Sequence, residues 1–505
     1  MRNEQKRWGA RSELSFIISL VKRSGIYALG SMASPLISLV LAPFLTRYLS
    51  HVEYGALAVL NVAIALISGV TQLGLIAAFS RAYNSDYESQ QDRLGVVSAS
   101  VSLLLLVSIP AAIAMMIAAA WSAELLLNSP SFSSSVRLAA LVVLLQNLTV
   151  PGFSWLRAEK RAALSSVLSI ANLLIALGAN IILVGVLHMG INGSLIATGG
   201  GYAVVAVCTL PVILLRVGLG GGLRPRFDIM RNLLLFGGPF VFSIVSTWVL
   251  QLSDRYLLSY FGSLAQTAGY TVAYSLGGVL ASVLIGPFIA AWHPTMYAIA
   301  KKEVTEAVYV YRLVFRLYSI ISLFATFALS LLSVAVLDAL FPPSYHSVAP
   351  IIPIIALSTM FFGVAYVLSV GVYIQRKSVF IPILTTLSAL VNVGLNIILI
   401  PLYGPMGAAV STLLAYVLLA LNAYVVNQRI YAIPFEIGIF MFGLFVGVAL
   451  YIGSSLLAHA QGKYMGWGIS LAALTLYAGY LALLGMLLAR RDKKAYRHTE
   501  EVLIS

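Results

Sequence analysis

The sequence contains few charged residues and almost no cysteine. Only 10% of its 505 residues are Asp, Glu, Lys or Arg, whereas soluble domains carry about 25%. Hydrophobic residues make up 60% of the chain, and the mean hydropathy is +0.96. The single cysteine, Cys208, excludes an intrachain disulfide and a cysteine metal cluster. This composition predicts an all-α polytopic membrane protein.

Charged side chains are also scarce inside the long apolar runs, since no Asp, Glu, Lys or Arg is predicted deep within any of them. An enzyme needs a general acid or base, an activated nucleophile or metal ligands. The histidines are scattered without the spacing of a metal site. We therefore predict no catalytic residue, no metal site and no cofactor, and expect that the chain is not an enzyme.

The apolar runs predict about 14 transmembrane helices, because each is long enough to cross a hydrocarbon core about 30 Å thick. Their predicted limits are 24–46, 55–80, 94–119, 137–156, 165–187, 191–215, 232–253, 264–293, 315–337, 348–374, 379–401, 406–427, 434–457 and 466–489.

The distribution of Lys and Arg predicts the orientation of these helices. The predicted outer loops hold only Arg47, Arg137, Arg255 and Lys463, and all the others of the 31 lie in inner loops or tails. Cytoplasmic loops carry this excess of positive charge, so both termini are predicted to be cytoplasmic. The net charge of +14 is therefore explained by the cytoplasmic loops, and no nucleic-acid partner is expected.

Repeated motifs divide the chain into two halves. Asn180-Ile181-Ile182-Leu183 matches Asn396-Ile397-Ile398-Leu399, and Arg47-Tyr48-Leu49 matches Arg255-Tyr256-Leu257. Six spans separate the copies, which predicts two six-helix bundles related by a pseudo-two-fold axis along the membrane normal. The predicted segments are a tail (1–23), the bundles (24–215 and 232–427), a Gly-rich cytoplasmic linker (216–231), an additional hairpin (428–489) and a tail (490–505).

Arginines at span ends and amides within spans are candidate substrate-binding residues. Arg47 and Arg255 lie in the repeated motif on the outer side, where cations are otherwise scarce, so we expect them at a cavity mouth. The other candidates are Arg81, Asn61, Gln72, Gln251, Asn180 and Asn396. The alternatives are snorkelling for the arginines and helix packing for the amides.

Two further sets of residues are candidates for movement and coupling. Asp254 and His293 are candidates for ion coupling or gating, because both can change charge near a span end. Bending during transport is expected at helix-breaking residues in the first and seventh spans. The predicted hinge residues are Gly30, Pro35, Gly238 and Pro239.

The first hydrophobic hairpin, residues 24–83, carries a series of short motifs. They are Arg47-Tyr48-Leu49-Ser50, Glu53-Tyr54-Gly55, Leu73-Gly74-Leu75 and Arg81-Ala82-Tyr83. This pattern resembles the opening hairpin of polysaccharide-type flippases of the multidrug/oligosaccharidyl-lipid/polysaccharide exporter superfamily.

The resemblance implies two bundles around a central cavity that opens alternately to each side of a bacterial inner membrane. It implies a polyprenyl-pyrophosphate-linked oligosaccharide as substrate, namely an O-antigen, capsule or exopolysaccharide repeat unit. Membrane lipids and a polysaccharide polymerase complex are the expected partners, and the expected state is a monomer.

Three alternatives stay open. Lipid II flippases resemble one another in carrying arginines within the first span, whereas this span has none between Gly25 and Thr46. A drug/cation antiporter is expected to show an intramembrane carboxylate. A membrane-embedded glycan polymerase or ligase is expected to have a larger outer domain than these short loops provide.

Overall fold

The computed structural model describes residues 33–219, 226–301, 303–459 and 463–504. All regular elements within these ranges are helices. The predicted hinge residue Gly30 and part of the predicted linker lie outside the described residues. The all-helical fold class predicted from composition is confirmed.

The N-terminal half consists of helices α1 to α8. Their bounds are α1 Ala33–Tyr48, α2 His51–Thr71, α3 Leu75–Arg81, α4 Gln90–Ile117, α5 Ala119–Leu127, α6 Ser133–Ala158, α7 Ala162–Asn180 and α8 Gly190–Leu219. Short π-helical segments at Ala82–Asp86 and Ile181–Val186 continue α3 and α7, and a 3₁₀ turn at Pro130–Phe132 precedes α6.

The C-terminal half consists of helices α9 to α16, and a terminal hairpin consists of α17 and α18. The bounds are α9 Phe227–Phe261, α10 Leu264–Gly277, α11 Gly286–Ile299, α12 Val304–Leu340, α13 Ile351–Leu368, α14 Val370–Ile374, α15 Phe380–Tyr403, α16 Pro405–Ile430, α17 Ile437–His459 and α18 Lys463–Ile504. A π-helical segment at Ala281–Ile285 joins α10 to α11, and a 3₁₀ turn at Pro343–Val348 follows α12. The final helix thus continues through the segment predicted as a polar tail.

Thirteen helical segments of the described chain are long and apolar enough to cross a membrane. Large apolar side chains lie exposed along them, as at Leu106, Ile117, Val207 and Phe445, each more than 60% exposed. In a bilayer these side chains contact lipid. The protein is therefore a multi-pass membrane protein. The predicted span 24–46 is described only from Ala33, so the predicted total of 14 stays a prediction, as does the two-fold relation of the halves.

One buried apolar cluster extends across both halves. It joins Leu60 and Val143 of the N-terminal half to Leu258, Tyr270 and Ile352 of the C-terminal half. Because lipid is as apolar as these side chains, association of helices in a membrane depends on close packing. The continuous cluster places α2 against α9 and α10, where the halves meet.

The second predicted span is broken between α2 and α3. Leu73 and Gly74 have positive φ values of 54° and 65°, which interrupt the helix within the span. Gly74 lies against the backbone of Gly237 on α9, so close that a Cβ on Gly74 would be 2.2 Å from the Gly237 carbonyl oxygen. The helix is therefore bent where the halves touch, a position that the sequence-based hinge prediction did not include.

Candidate functional site

Asp254 lies inside the protein near the C-terminal end of α9. Its side chain is 2% exposed. It accepts a hydrogen bond from the Tyr270 hydroxyl and one of 2.8 Å from the backbone N–H of Arg255. A buried carboxylate is costly unless it is hydrogen-bonded or paired, and these donors meet that requirement. Tyr270 also interacts with Thr412 on α16, so α9, α10 and α16 meet around Tyr270.

Arg255 is buried beside Asp254, with 9% of its surface exposed. Its guanidinium carbon lies 4.5 Å from the ring centroid of Tyr274 on α10, in cation–π geometry. Its charge also acts on Tyr54 of α2, whose hydroxyl interacts with Ser275. A cation of the C-terminal half therefore lies within electrostatic reach of a tyrosine of the N-terminal half.

Arg47 occupies a different environment from Arg255, although the two share the repeated motif. Arg47 is exposed at the end of α1, and its guanidinium donates a 3.4 Å hydrogen bond to the Leu340 carbonyl of α12. The two arginines are thus at two depths, one at the surface and one inside. Their predicted role at a cavity mouth stays a prediction.

The halves make further contacts on the predicted outer side. The His51 ring stacks on Tyr345 with centroids 4.4 Å apart, and Asn128 donates a 3.1 Å hydrogen bond to the Ser259 carbonyl. The Ser259 hydroxyl donates to the Leu126 carbonyl at 3.1 Å. We call these contacts, with Arg47–Leu340, the outer interface. They close this end between α1, α2 and α5 on one side and α9, α12 and the Pro343–Val348 turn on the other.

A second set of contacts joins the halves on the predicted inner side. Arg226 pairs with Asp92 at 2.8 Å, and Asn232 donates a 3.0 Å hydrogen bond to the Tyr87 hydroxyl. The candidate Arg81 lies 4.4 Å above the Phe236 ring and pairs with Asp86. These residues form the inner interface. The side chains of its ion pairs are 37–60% exposed. Water and salt therefore screen these ion pairs, and each contributes little to stability.

The candidate amides fall into two environments. Asn180 and Asn396 are fully buried, each has a side-chain carbonyl oxygen without a partner, and Asn396 donates to Asn392 at 3.0 Å. Gln72 donates a 3.1 Å hydrogen bond to Asn147, which in turn donates to Thr71 and Ser108. This network packs the N-terminal half together.

The remaining predicted residues do not join the Asp254 cluster in the described contacts. Asn61 is exposed and Gln251 is partly buried. His293 contacts the Tyr373 ring edge-to-face at 5.1 Å. Pro35 lies in α1, and Gly238 and Pro239 lie exposed within the unbroken helix α9.

Four charged residues at the ends of predicted spans are buried in the protein, namely Asp254, Arg255, Arg316 and Glu436. Their positions suggested contact with water, but neighbouring helices cover their side chains, although Glu436 itself precedes α17. Sequence reasoning also missed Tyr54, Tyr270 and Tyr274, because the 26 tyrosines show no spacing that singles out these three.

No group of three His, Cys, Asp or Glu side chains that could hold a metal ion occurs among the described residues. The chemistry of the Asp254 cluster is therefore that of one carboxylate, one guanidinium and several hydroxyls. Such a cluster can bind or release a proton or a small cation, and its guanidinium can bind an anion.

Comparison with known proteins identifies the relatives of this chain. A family model described as polysaccharide biosynthesis protein matches residues 20–300, more than half of the sequence. A search of curated protein sequences found no significant match.

Solved structures share the fold at low sequence identity. The lipid II flippase MurJ in an inward closed conformation is 12% identical, with a TM-score of 0.69, covering 90% of this chain and 98% of that one. An inward-facing multidrug resistance MATE family transporter is 16% identical, with a TM-score of 0.67 over 80% and 98% of the two chains. A Vibrio cholerae MATE transporter mutant is 16% identical, with a TM-score of 0.56 over 81% and 97%. The predicted superfamily is thereby confirmed, and its members named here are flippases and transporters rather than enzymes.

The contact between Gly74 and Gly237 gives a testable consequence. Replacing Gly74 by Ala adds a Cβ into the Gly237 carbonyl and places an L-residue at φ 65°. The backbone conformation alone costs about 1–2 kcal/mol. We expect Gly74→Ala to lower the thermal unfolding midpoint of the purified protein.

The matched control is Gly238→Ala, because no heavy atom lies within 4 Å of a Cβ built there. Alanine is favoured over glycine within a helix, so this variant should unfold at the wild-type temperature or above. Equal midpoints for Gly74→Ala and the wild type would contradict the close contact.

Proposed function

Because the chain belongs to the polysaccharide biosynthesis protein family, we propose that it flips a lipid-linked oligosaccharide across the membrane by alternating access. The observation that carries this proposal is the pair of interfaces between the halves. The outer interface lies at one end of the spans and the inner interface at the other, and each consists of a few separable contacts. Opening one while the other stays closed would expose the interior to one side at a time.

The charge and chemistry of the outer end suit a pyrophosphate-linked glycan. A pyrophosphate is anionic, and an arginine can bind it through several directed hydrogen bonds. Arg47 is placed to meet the substrate at the surface, and Arg255 lies behind the outer interface. The aromatic ring of Tyr274 beside Arg255 and the buried amides offer surfaces for sugar rings and hydroxyls.

Asp254 is the candidate for coupling transport to an ion. Its partner Tyr270 and its neighbour Arg255 lie on α10 and α9, and Arg255 in turn acts on Tyr54 across the interface between the halves. A change in the charge of Asp254 would alter the electrostatics at that interface, since buried charges interact strongly. His293, which contacts Tyr373, is the second candidate for coupling or gating.

The cellular setting follows from the same proposal. The excess of Lys and Arg in the predicted inner loops orients both termini toward the cytoplasm of a bacterial inner membrane. The finished product is an O-antigen, capsule or exopolysaccharide, made with a polymerase complex that receives the flipped unit. The chain acts as a monomer, since one chain supplies both halves.

The lipid II flippase is the second candidate, favoured by the TM-score of 0.69 and the 98% coverage of that structure. Against it stands the lack of arginine between Gly25 and Thr46. The MATE transporters show the same fold, and the buried Asp254 removes the earlier argument that this chain lacks an interior carboxylate. Transport of a drug in exchange for a cation is therefore the third candidate function.

Complementation in bacteria distinguishes these functions. We expect the gene to restore surface polysaccharide in a strain lacking its oligosaccharide flippase, with loss of the lipid-linked oligosaccharide that accumulates in the inner leaflet. We expect no rescue of a strain depleted of its lipid II flippase. Rescue of the second strain alone would overturn the proposed substrate, and increased drug resistance without either rescue would favour the antiporter.

The arginines give a second prediction within the same assay. Substituting both Arg47 and Arg255 by Gln should reduce polysaccharide export while the protein remains in the membrane, and Lys at both positions should restore export only in part. The matched control is Arg137→Gln, because Arg137 is also an exposed arginine of the predicted outer side. Export is measured as surface polysaccharide per unit of membrane-inserted protein.

Full export by the double Gln variant would contradict the phosphate role and leave the arginines as interfacial anchors. The single variants Arg47→Gln and Arg255→Gln distinguish the role of the exposed arginine from that of the buried one. Arg255→Gln also removes the cation beside Asp254, so its thermal unfolding midpoint is measured in parallel, whereas Arg47→Gln changes only an exposed contact.

A further inference from the structure

Arg316 and Glu436 form a buried ion pair that joins the terminal hairpin to the C-terminal half. Arg316 lies on α12, and Glu436 immediately precedes α17. The Arg316 Nε and Nη2 atoms lie 2.6 and 2.7 Å from the two Glu436 carboxylate oxygens. The side chains are only 5% and 8% exposed. This is the two-pronged geometry in which a guanidinium fixes the direction of a carboxylate.

A second arginine reaches the same carboxylate from the last helix. The Arg491 Nη2 atom of α18 lies 2.7 Å from Glu436 Oε1, and its side chain is 58% exposed. Three segments therefore meet at one carboxylate: α12, the loop before α17, and α18. We call Arg316, Glu436 and Arg491 the hairpin junction.

The loop that carries Glu436 is packed into the protein. The Gln428 side chain hydrogen-bonds both the carbonyl and the N–H of Ile433, which is fully buried. Asn427 donates to the Tyr431 carbonyl at 3.1 Å and accepts from the N–H of Gly371 at 2.6 Å.

Aromatic side chains also attach the terminal hairpin to α12. Phe435 lies 5.1 Å from the Phe315 ring, directly beside the ion pair. Further toward the outer side, Tyr477 of α18 contacts Phe327 of α12 with centroids 4.5 Å apart. The connection between α16 and α17 is thus a fixed attachment, and the hairpin packs along α12.

Stability alone does not explain a buried pair of charges at this position. Removing two charges from water is costly, and well-packed apolar side chains of similar volume are often equally or more stabilising. An apolar contact is non-directional, however, whereas the paired guanidinium and carboxylate allow one geometry. The pair therefore supplies orientation that apolar packing along α12 does not.

We propose that Arg316 and Glu436 are positioning residues for transport, which hold the terminal hairpin on the C-terminal half so that the two move as one body. This inference rests on the proposed transport function. When the interfaces between the halves open, α9 to α16 shift relative to α1 to α8. The hairpin junction keeps α17 and α18 fixed to the moving half and preserves the lipid-facing surface beside α12.

The test compares two ways of replacing the pair. The double variant Arg316→Met with Glu436→Leu gives an apolar contact, and Arg316→Lys keeps the charge but loses the planar fork. The matched control is Arg491→Gln, which removes the exposed partner of the same carboxylate and leaves the buried pair. Each protein is assayed for polysaccharide export, thermal unfolding and amide hydrogen exchange of residues 431–445.

We expect the apolar double variant to keep its unfolding midpoint but to exchange the amides of 431–445 about tenfold faster. Its export per membrane-inserted protein should fall about fivefold, and Arg316→Lys should show the same changes to a smaller extent. Arg491→Gln should remain close to the wild type in all three measurements, because exposed ion pairs contribute little.

Full export by the apolar variant would overturn the proposal, and so would a loss of export with unchanged exchange in 431–445. If the double variant fails to accumulate in the membrane, the proposal is tested with Arg316→Lys, again by its export and by amide exchange of residues 431–445. If the wild type itself does not export the glycan, the proposed function is wrong. Amide exchange of the purified variants then decides the positioning proposal by itself.

Discussion

The contact of α2 with α9 and α10 holds the two halves together, and the other features of the structure are arranged around it. Near the start of α2 a Cβ on Gly55 would lie 1.9 Å from the Leu264 carbonyl oxygen, and at Gly74 a Cβ would lie 2.2 Å from the Gly237 carbonyl oxygen. Because each glycine lacks a Cβ, the two backbones approach each other closely at both contacts. The broken helix at Leu73 and Gly74 lies at the second contact, where a bend changes how the halves meet.

Buried charged residues lie at two of the boundaries between the halves and the terminal hairpin. Asp254 and Arg255 lie where α9 faces α2, and Arg316 and Glu436 lie where α12 faces the terminal hairpin. Each buried charge has a partner, as the cost of desolvation requires. In the proposed transport cycle, the contact at the first pair opens and the contact at the second pair stays closed.

The sequence was sufficient for the fold class, because the length of apolar runs depends on local composition. The motifs of the first hairpin were sufficient for the superfamily through their resemblance to polysaccharide-type flippases. It was insufficient for the site. Arg47 and Arg255 share a motif yet differ in burial, since burial depends on what α12 and α10 place around them. Glu436 was predicted within a span and its partner Arg316 lies 120 residues away in the chain, so no local pattern could indicate the pair. The break at Leu73 and Gly74 could not be predicted from the Leu73-Gly74-Leu75 motif, because leucine rarely adopts positive φ.

The most direct test of alternating access locks the outer interface and examines the inner one. Cysteines replace Asn128 and Ser259, which are neighbours because the Asn128 amide donates a 3.1 Å hydrogen bond to the Ser259 backbone carbonyl. Cys208 is replaced by serine in this background, and a short thiol crosslinker joins the two new cysteines. A further cysteine at Ile229, which is fully buried on α9 in one apolar cluster with Val96 of α4, reports access of a water-soluble thiol reagent to the inner side. We expect that the locked protein still becomes labelled at this cysteine but no longer exports polysaccharide. Export at the wild-type rate with the outer interface locked would contradict it.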